Sequence, residues 1–173
     1  MLQKKICLLG AFGVGKTSLV RRYVDTIFSD TYLTTVGVKI DKKVLSAKTK
    51  GTEGVEGTEE MALILWDIAG EDEVAAVRVS YLRGAAGYLL VVDSTRPETL
   101  ETAASIQRRI SAELGAVPFF VLLNKADLQE DWAIPTERIE SLEAAGWTFR
   151  RTSAKTGMGV EETFQELAAR LAR

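Results

Sequence analysis

Five apolar runs constrain this chain more than any other feature: KKICLLG (4–10), MALILWDIA (61–69), YLLVVD (88–93), PFFVLLNK (118–125) and WTFRRTS (147–153). Each is short and continuous, the pattern of a strand buried on both faces. Between most of them apolar residues recur at helical spacing, as in Ile106, Ile110 and Leu114, which gives each intervening segment one face to bury. Strands buried on two faces need cover on both sides, and alternating helices supply it. The expectation is an α/β layered fold, with helices starting near Lys16, Glu73, Pro97, Pro135 and Val160. Proline at two of those starts fits a first helical turn.

One stretch breaks the alternation. VGVKIDKKVLSAK (36–48) leads to MALILWD through KTKGTEGVEGTEE (48–60) with no helical segment between, which predicts an antiparallel hairpin. Val55 is the connector's only apolar residue, so burial cannot offset the entropy of ordering it, and a flexible loop over about 48–60 is expected. A length of 173 residues suits a single domain spanning the chain.

Composition removes several classes of function. The net charge is −2 with Lys and Arg scattered, so the basic footprint of a nucleic-acid binder is missing. There is no histidine, which excludes Ser-His-Asp and Cys-His catalysis, and the single cysteine, Cys7, cannot form an internal disulfide or a Cys-rich zinc site. The opening apolar run is short and meets Lys16, so it reads as a buried strand and not as a signal peptide. No segment approaches the roughly 18 apolar residues of a spanning helix. The final QELAARLAR (165–173) offers no cysteine for prenylation, so a cytoplasmic protein with no direct membrane anchor is expected.

GAFGVGKT (10–17) fits G-x-x-x-x-G-K-[ST] and lies between a predicted strand and a predicted helix. Glycines let backbone N–H groups curl around an anion, and a helix start favours negative charge. Gly13, Val14, Gly15, Lys16, Thr17 and Ser18 are the candidate phosphate contacts, with Lys16 reaching the β- and γ-phosphates and the Thr17 hydroxyl offered to magnesium. The motif indicates a nucleoside triphosphate and leaves the base open. Asn124-Lys125-Ala126-Asp127 follows another apolar strand, at the end where open α/β sheets bind ligands. A carboxylate such as Asp127 accepts two hydrogen bonds from the N1–H and N2–H₂ edge of guanine, a donor pair that adenine lacks. Thr152-Ser153-Ala154-Lys155 follows the last strand, and a backbone N–H near Ala154 can serve the guanine carbonyl. Either tetrapeptide alone also reads as loop punctuation; all three motifs in this order do not.

GAFGVGKT, TYLTTVGV (31–38), WDIAGE (66–71), NKAD (124–127) and TSAK (152–155) together resemble the Ras superfamily of small GTPases. YLRGAAGYLLVVDSTRPETL (81–100) and the TTVGV segment bring the resemblance nearest to the Rab branch, and it runs from Gln3 to Leu171. The resemblance implies a six-stranded, mostly parallel sheet with one antiparallel strand and five helices. It also implies that Thr35 ligates magnesium and closes over GTP, that Asp67 holds magnesium through water, that Phe28 packs on guanine, and that Gly70 donates its N–H to the γ-phosphate. Loss of that phosphate would release two switch loops, about 26–38 and 68–80, for partners to read.

Two positions depart from the family's pattern. Glu71 stands where most of the family has the glutamine that orients the attacking water. A carboxylate there can accept a proton from that water, be repelled by the γ-phosphate, or simply start a helix as an exposed acid with Asp72 and Glu73. Slow but real hydrolysis is the expectation, with Glu71, Lys16, Gly70 and Thr35 as the candidate catalytic group. Phe12 takes a place commonly held by a small residue, and its ring either crowds the γ-phosphate or folds back onto the surface. The leading reading is a monomeric enzyme-switch that uses GTP, GDP and magnesium and signals to effector and regulator proteins. Its rival is a GTP- or GDP-holding scaffold with negligible hydrolysis, and a kinase on the same phosphate loop is disfavoured by Asp127.

Overall fold

The computed structural model describes residues 1–26, 37–50, 54–70 and 78–172. Six strands form one sheet in the order β2-β3-β1-β4-β5-β6. They are β1 (Leu2–Leu9), β2 (Val38–Lys50), β3 (Glu56–Ile68), β4 (Gly87–Asp93), β5 (Phe119–Asn124) and β6 (Phe149–Arg151), with helices α1 (Lys16–Asp25), α2 (Glu98–Leu114), α3 (Thr136–Ala144) and α4 (Val160–Leu171) between or after them. Only β2 runs antiparallel, against β3; the other neighbours pair in parallel.

Alternation along the central strands splits the core in two. Ile6, Leu8, Leu89, Val91, Phe120 and Leu122 face one way and are covered by Leu19, Val20 and Tyr23 of α1 with Phe164 and Leu167 of α4. Cys7, Leu9, Leu90, Val92, Val121 and Leu123 face the other way, beneath Leu100, Ala103, Ile106 and Ile110 of α2. Each such large side chain contributes roughly 1.5–3 kcal/mol of burial free energy, which is why the continuous apolar runs end up at the centre of the sheet. The Tyr23 and Phe164 rings stack with centroids 3.9 Å apart and fasten α1 to α4.

Four of the expected helices occur among the described residues, and the start expected near Glu73 lies outside them. Two other expectations need correction. Pro97 and Pro135 sit at the N-caps of α2 and α3, one residue ahead of the first turn, where a missing N–H likewise costs no helical bond. The connector is shorter than 48–60: the hairpin ladder continues through Lys48↔Thr58, Thr49↔Gly57 and Lys50↔Glu56, and residues 51–53 lie outside the described set. Ladder pairing needs backbone partners and not a buried face, and β-branched Thr49 and Thr58 with Lys50 opposite Glu56 favour the extended form.

Chain direction positions the site. From β1 the sheet grows to one side through β3 and β2, then crosses back to β4, β5 and β6 on the other. The reversal lies beside β1, the place where open parallel sheets bind ligands at their carboxyl ends. Loops beginning at Gly10, Ala69, Ser94, Lys125 and Thr152 all leave the sheet at that end.

Candidate nucleotide-binding site

The loop after β1 takes a shape that only glycine permits at several points. A Cβ on Gly10 would run into the Val91 carbonyl, and Gly13 and Gly15 have φ of 75° and 101°, in the left-handed region. A Cβ on Gly15 would also lie 2.5 Å from Asn124 Nδ2. Helix α1 then starts with Lys16, with no side-chain cap and no acidic residue in its first turn. Its leading N–H groups and dipole therefore favour an anion. Val14 is buried and its carbonyl accepts from Asn124 Nδ2 at 3.0 Å, while Ser18 is partly buried in the first turn of α1. Lys16 is buried, and its Nζ donates to the Gly10 and Ala11 carbonyls at 3.2 Å each.

Strand β3 delivers two more groups to this loop. Thr17 Oγ1 donates to Asp67 Oδ2 at 2.6 Å, joining the first turn of α1 to the end of β3. Burial pushes the Asp67 carboxyl up, against the lowering effect of the Thr17 hydrogen bond and the Lys16 and Lys39 charges. Asp67 Oδ1 is buried with no hydrogen-bond partner among the described residues. A hydroxyl beside a carboxylate with an unused buried oxygen is the donor chemistry of a hard divalent cation, so these residues fit magnesium. Gly70 lies against the same loop: a Cβ there would sit 2.8 Å from Lys16 Nζ, the Ala11 carbonyl oxygen and Phe12 Cα. Phe12 itself is 43% exposed.

The second half of the site comes from the ends of β5 and β6. Asn124 is buried and acts as a brace, its Nδ2 bound to Val14 and its Oδ1 accepting from Thr152 Oγ1 at 3.2 Å. Lys125 adopts φ 60° and sends Nζ back to the Gly13 carbonyl at 3.1 Å. Asp127 is half-buried; its Oδ1 accepts from Ser153 Oγ at 2.7 Å, which fixes the carboxylate's orientation. Ala154 is buried and Lys155 exposed, and Arg22 of α1 donates from Nε to the Ala154 carbonyl at 2.7 Å and from Nη2 to the Lys155 carbonyl. Phe28, Thr35 and Glu71 lie outside the described residues.

Motif reading overlooked Arg22, Asp93 and Arg96. Asp93 is buried at the end of β4, and its Oδ2 accepts from Lys125 Nζ at 2.7 Å and from Arg96 Nε at 3.1 Å. A signal was present, since a carboxylate closing an apolar strand requires cations nearby.

The Ras family's sequence profile matches residues 5–173. The chain belongs to the Ras family. It is 33% identical to the Ras-related protein Rab-10 of Caenorhabditis elegans over 166 residues, covering 95% of this chain and 78% of that protein. It is 33% identical to Rab-13 of Mesocricetus auratus over 166 residues (95% and 77%), and 31% identical to Rab-3C of Bos taurus over 165 residues (94% and 69%). The protein is thus a Rab-like small GTPase, a GTP-binding and GTP-hydrolysing switch on a G-domain fold. Ras-family proteins bind GTP and GDP and work through effectors and regulators. Among the described residues no helix is long and apolar enough to cross a membrane.

Proposed function

We propose that residues 1–173 act as one G domain that holds GTP or GDP with magnesium, discriminates guanine through Asp127, and hydrolyses GTP slowly. The observation that carries this reading is the meeting of three pairs at one end of the sheet: Lys16 with the Gly10 and Ala11 carbonyls, Thr17 with Asp67, and Ser153 with Asp127. Backbone N–H groups of Gly13, Val14, Gly15, Thr17 and Ser18, with the Lys16 ammonium, would neutralise the phosphates. Thr17 and Thr35 would ligate magnesium directly and Asp67 through water; the ion would supply charge neutralisation at the phosphates. Gly70 would donate its N–H to the γ-phosphate, Phe28 would cover the guanine ring, and Asn124, Lys125, Ala154 and Lys155 would frame the base and sugar.

Glu71 takes the glutamine's place and would orient or deprotonate the attacking water less effectively, because its charge is repelled by the γ-phosphate. The same substitution sustains a second reading, a nucleotide-holding scaffold without useful turnover. The proposal extends to a monomer in the cytoplasm, where the lone buried thiol of Cys7 would stay reduced. Unidentified effectors and regulators would read residues about 26–38 and 68–80.

Calorimetric titration with GDP and ADP tests the base assignment. GDP is expected to bind with magnesium and ADP not to, and Asp127→Ala to weaken GDP on the order of a hundredfold, from loss of two charge-assisted bonds. Equal binding of ADP and GDP, or an unaffected Asp127→Ala protein, would overturn it.

A further inference from the structure

One buried carboxylate holds two cations against the outer side of the phosphate loop. Asp93 has a side chain only 2% exposed. Its Oδ1 accepts from the Thr95 backbone N–H at 2.9 Å and from the Thr95 hydroxyl at 2.7 Å, which leaves Oδ2 for Lys125 and Arg96. Each cation then reaches past Asp93 to the loop. Lys125 Nζ donates to the Gly13 carbonyl at 3.1 Å, and Arg96 Nη2 donates to the Phe12 carbonyl at 2.6 Å.

In a trans peptide the carbonyl of one residue and the N–H of the next point in opposite directions. A donor gripping the Phe12 carbonyl from outside therefore aims the Gly13 N–H inward, and a donor on the Gly13 carbonyl does the same for Val14. Gly70 lies against the residue from which the Phe12–Gly13 peptide starts: a Cβ there would come 2.8 Å from Phe12 Cα, from the Ala11 carbonyl oxygen and from Lys16 Nζ. Arg96 is suited to its task by its fork: Nε engages Asp93 while Nη2 engages Phe12, so two donors of one rigid plane hold the two groups in a fixed relation.

We infer that Arg96 is a positioning residue for the terminal phosphate: braced by Asp93, it fixes the Phe12–Gly13 peptide and so favours GTP over GDP. The inference rests on the reading of residues 10–17 as the phosphate cradle. It assigns Lys125 and Arg96 adjacent peptides, with Arg96 acting on the one that starts at the Phe12 Cα facing Gly70.

Dissociation rates of GDP and of a non-hydrolysable GTP analogue, measured for wild type, Arg96→Gln, Arg96→Lys and Lys16→Ala, provide the test. Both Arg96 variants are expected to release the GTP analogue about tenfold faster, the value of one charge-assisted hydrogen bond, and GDP less than about threefold faster. Equal acceleration of the two nucleotides would reduce Arg96 to general support of the loop, and unchanged rates or full rescue by lysine would likewise overturn the inference. Lys16→Ala separates the two levels: if it leaves both rates at the wild-type values, the cradle reading itself fails.

Discussion

At the scale of single residues, the site is built by polar groups that brace one another as much as by groups that face a ligand. Asp93 shows how this affects stability. Burial raises its carboxyl, but hydrogen bonds from Lys125 and Thr95 and the Lys125 charge outweigh that, and the group is held below the usual carboxylate range. A folded value below the unfolded one means a stabilising contribution that is complete above about pH 4 and lost as pH falls through the folded value. The difference in unfolding free energy between wild type and Asp93→Asn, measured by urea titration, should be largest near neutrality and shrink below about pH 4. A difference that stayed constant down to acid pH would contradict the assignment. The motifs were legible in the sequence because they are contiguous and their spacing encodes backbone shape, as Gly13 and Gly15 do through their positive φ. The roles of Arg96 and Arg22 were not legible, since Phe12 and Ala154 lie 84 and 132 positions away and only the fold brings them together; for Asp93 the buried strand end signalled a cation without naming Lys125, 32 positions on.

Among elements, the informative contact is that between α1 and α4. Phe164 is buried and stacks on Tyr23, and removing the ring leaves a cavity costing about 3–5 kcal/mol. The Tyr23 hydroxyl, by contrast, is buried with no hydrogen-bond partner among the described residues. Tyr23→Phe should therefore leave stability unchanged or raise it by up to about 1 kcal/mol, whereas Phe164→Ala should lower the thermal midpoint sharply. A Tyr23→Phe protein destabilised by more than about 1 kcal/mol would mean that the hydroxyl has a partner. Element types followed directly from apolar period in β1, β4 and β5, where burial on both faces leaves a continuous run. The same reasoning shortened β2 and β3, because it weighs side-chain burial, while Lys48–Lys50 and Glu56–Glu60 are held in the ladder by backbone hydrogen bonds that leave no apolar trace.

For the molecule as a whole, topology converts separate loops into one site. A sheet that reverses its growth beside β1 places the ends of β1, β3, β4, β5 and β6 at one edge, so that Lys16, Asp67, Asp93, Asp127 and Ser153 lie at or just after five neighbouring strand ends. Membership of the Ras family makes the chain a GTP-binding switch, and under the proposed function this end of the sheet is its guanine-nucleotide site. Under the proposed function the charge of Glu71 would slow hydrolysis, and kinetics decide it. The most direct measurement is phosphate release in a single turnover from purified protein loaded with GTP and magnesium, beside an ATP-loaded sample and the Glu71→Gln variant. The account predicts slow release from GTP, none from ATP, and at least about tenfold faster release for Glu71→Gln, as removing a like charge worth about 1.4 kcal/mol would give. Firmly bound GTP that is never cleaved, or a rate indifferent to the residue at position 71, would contradict it.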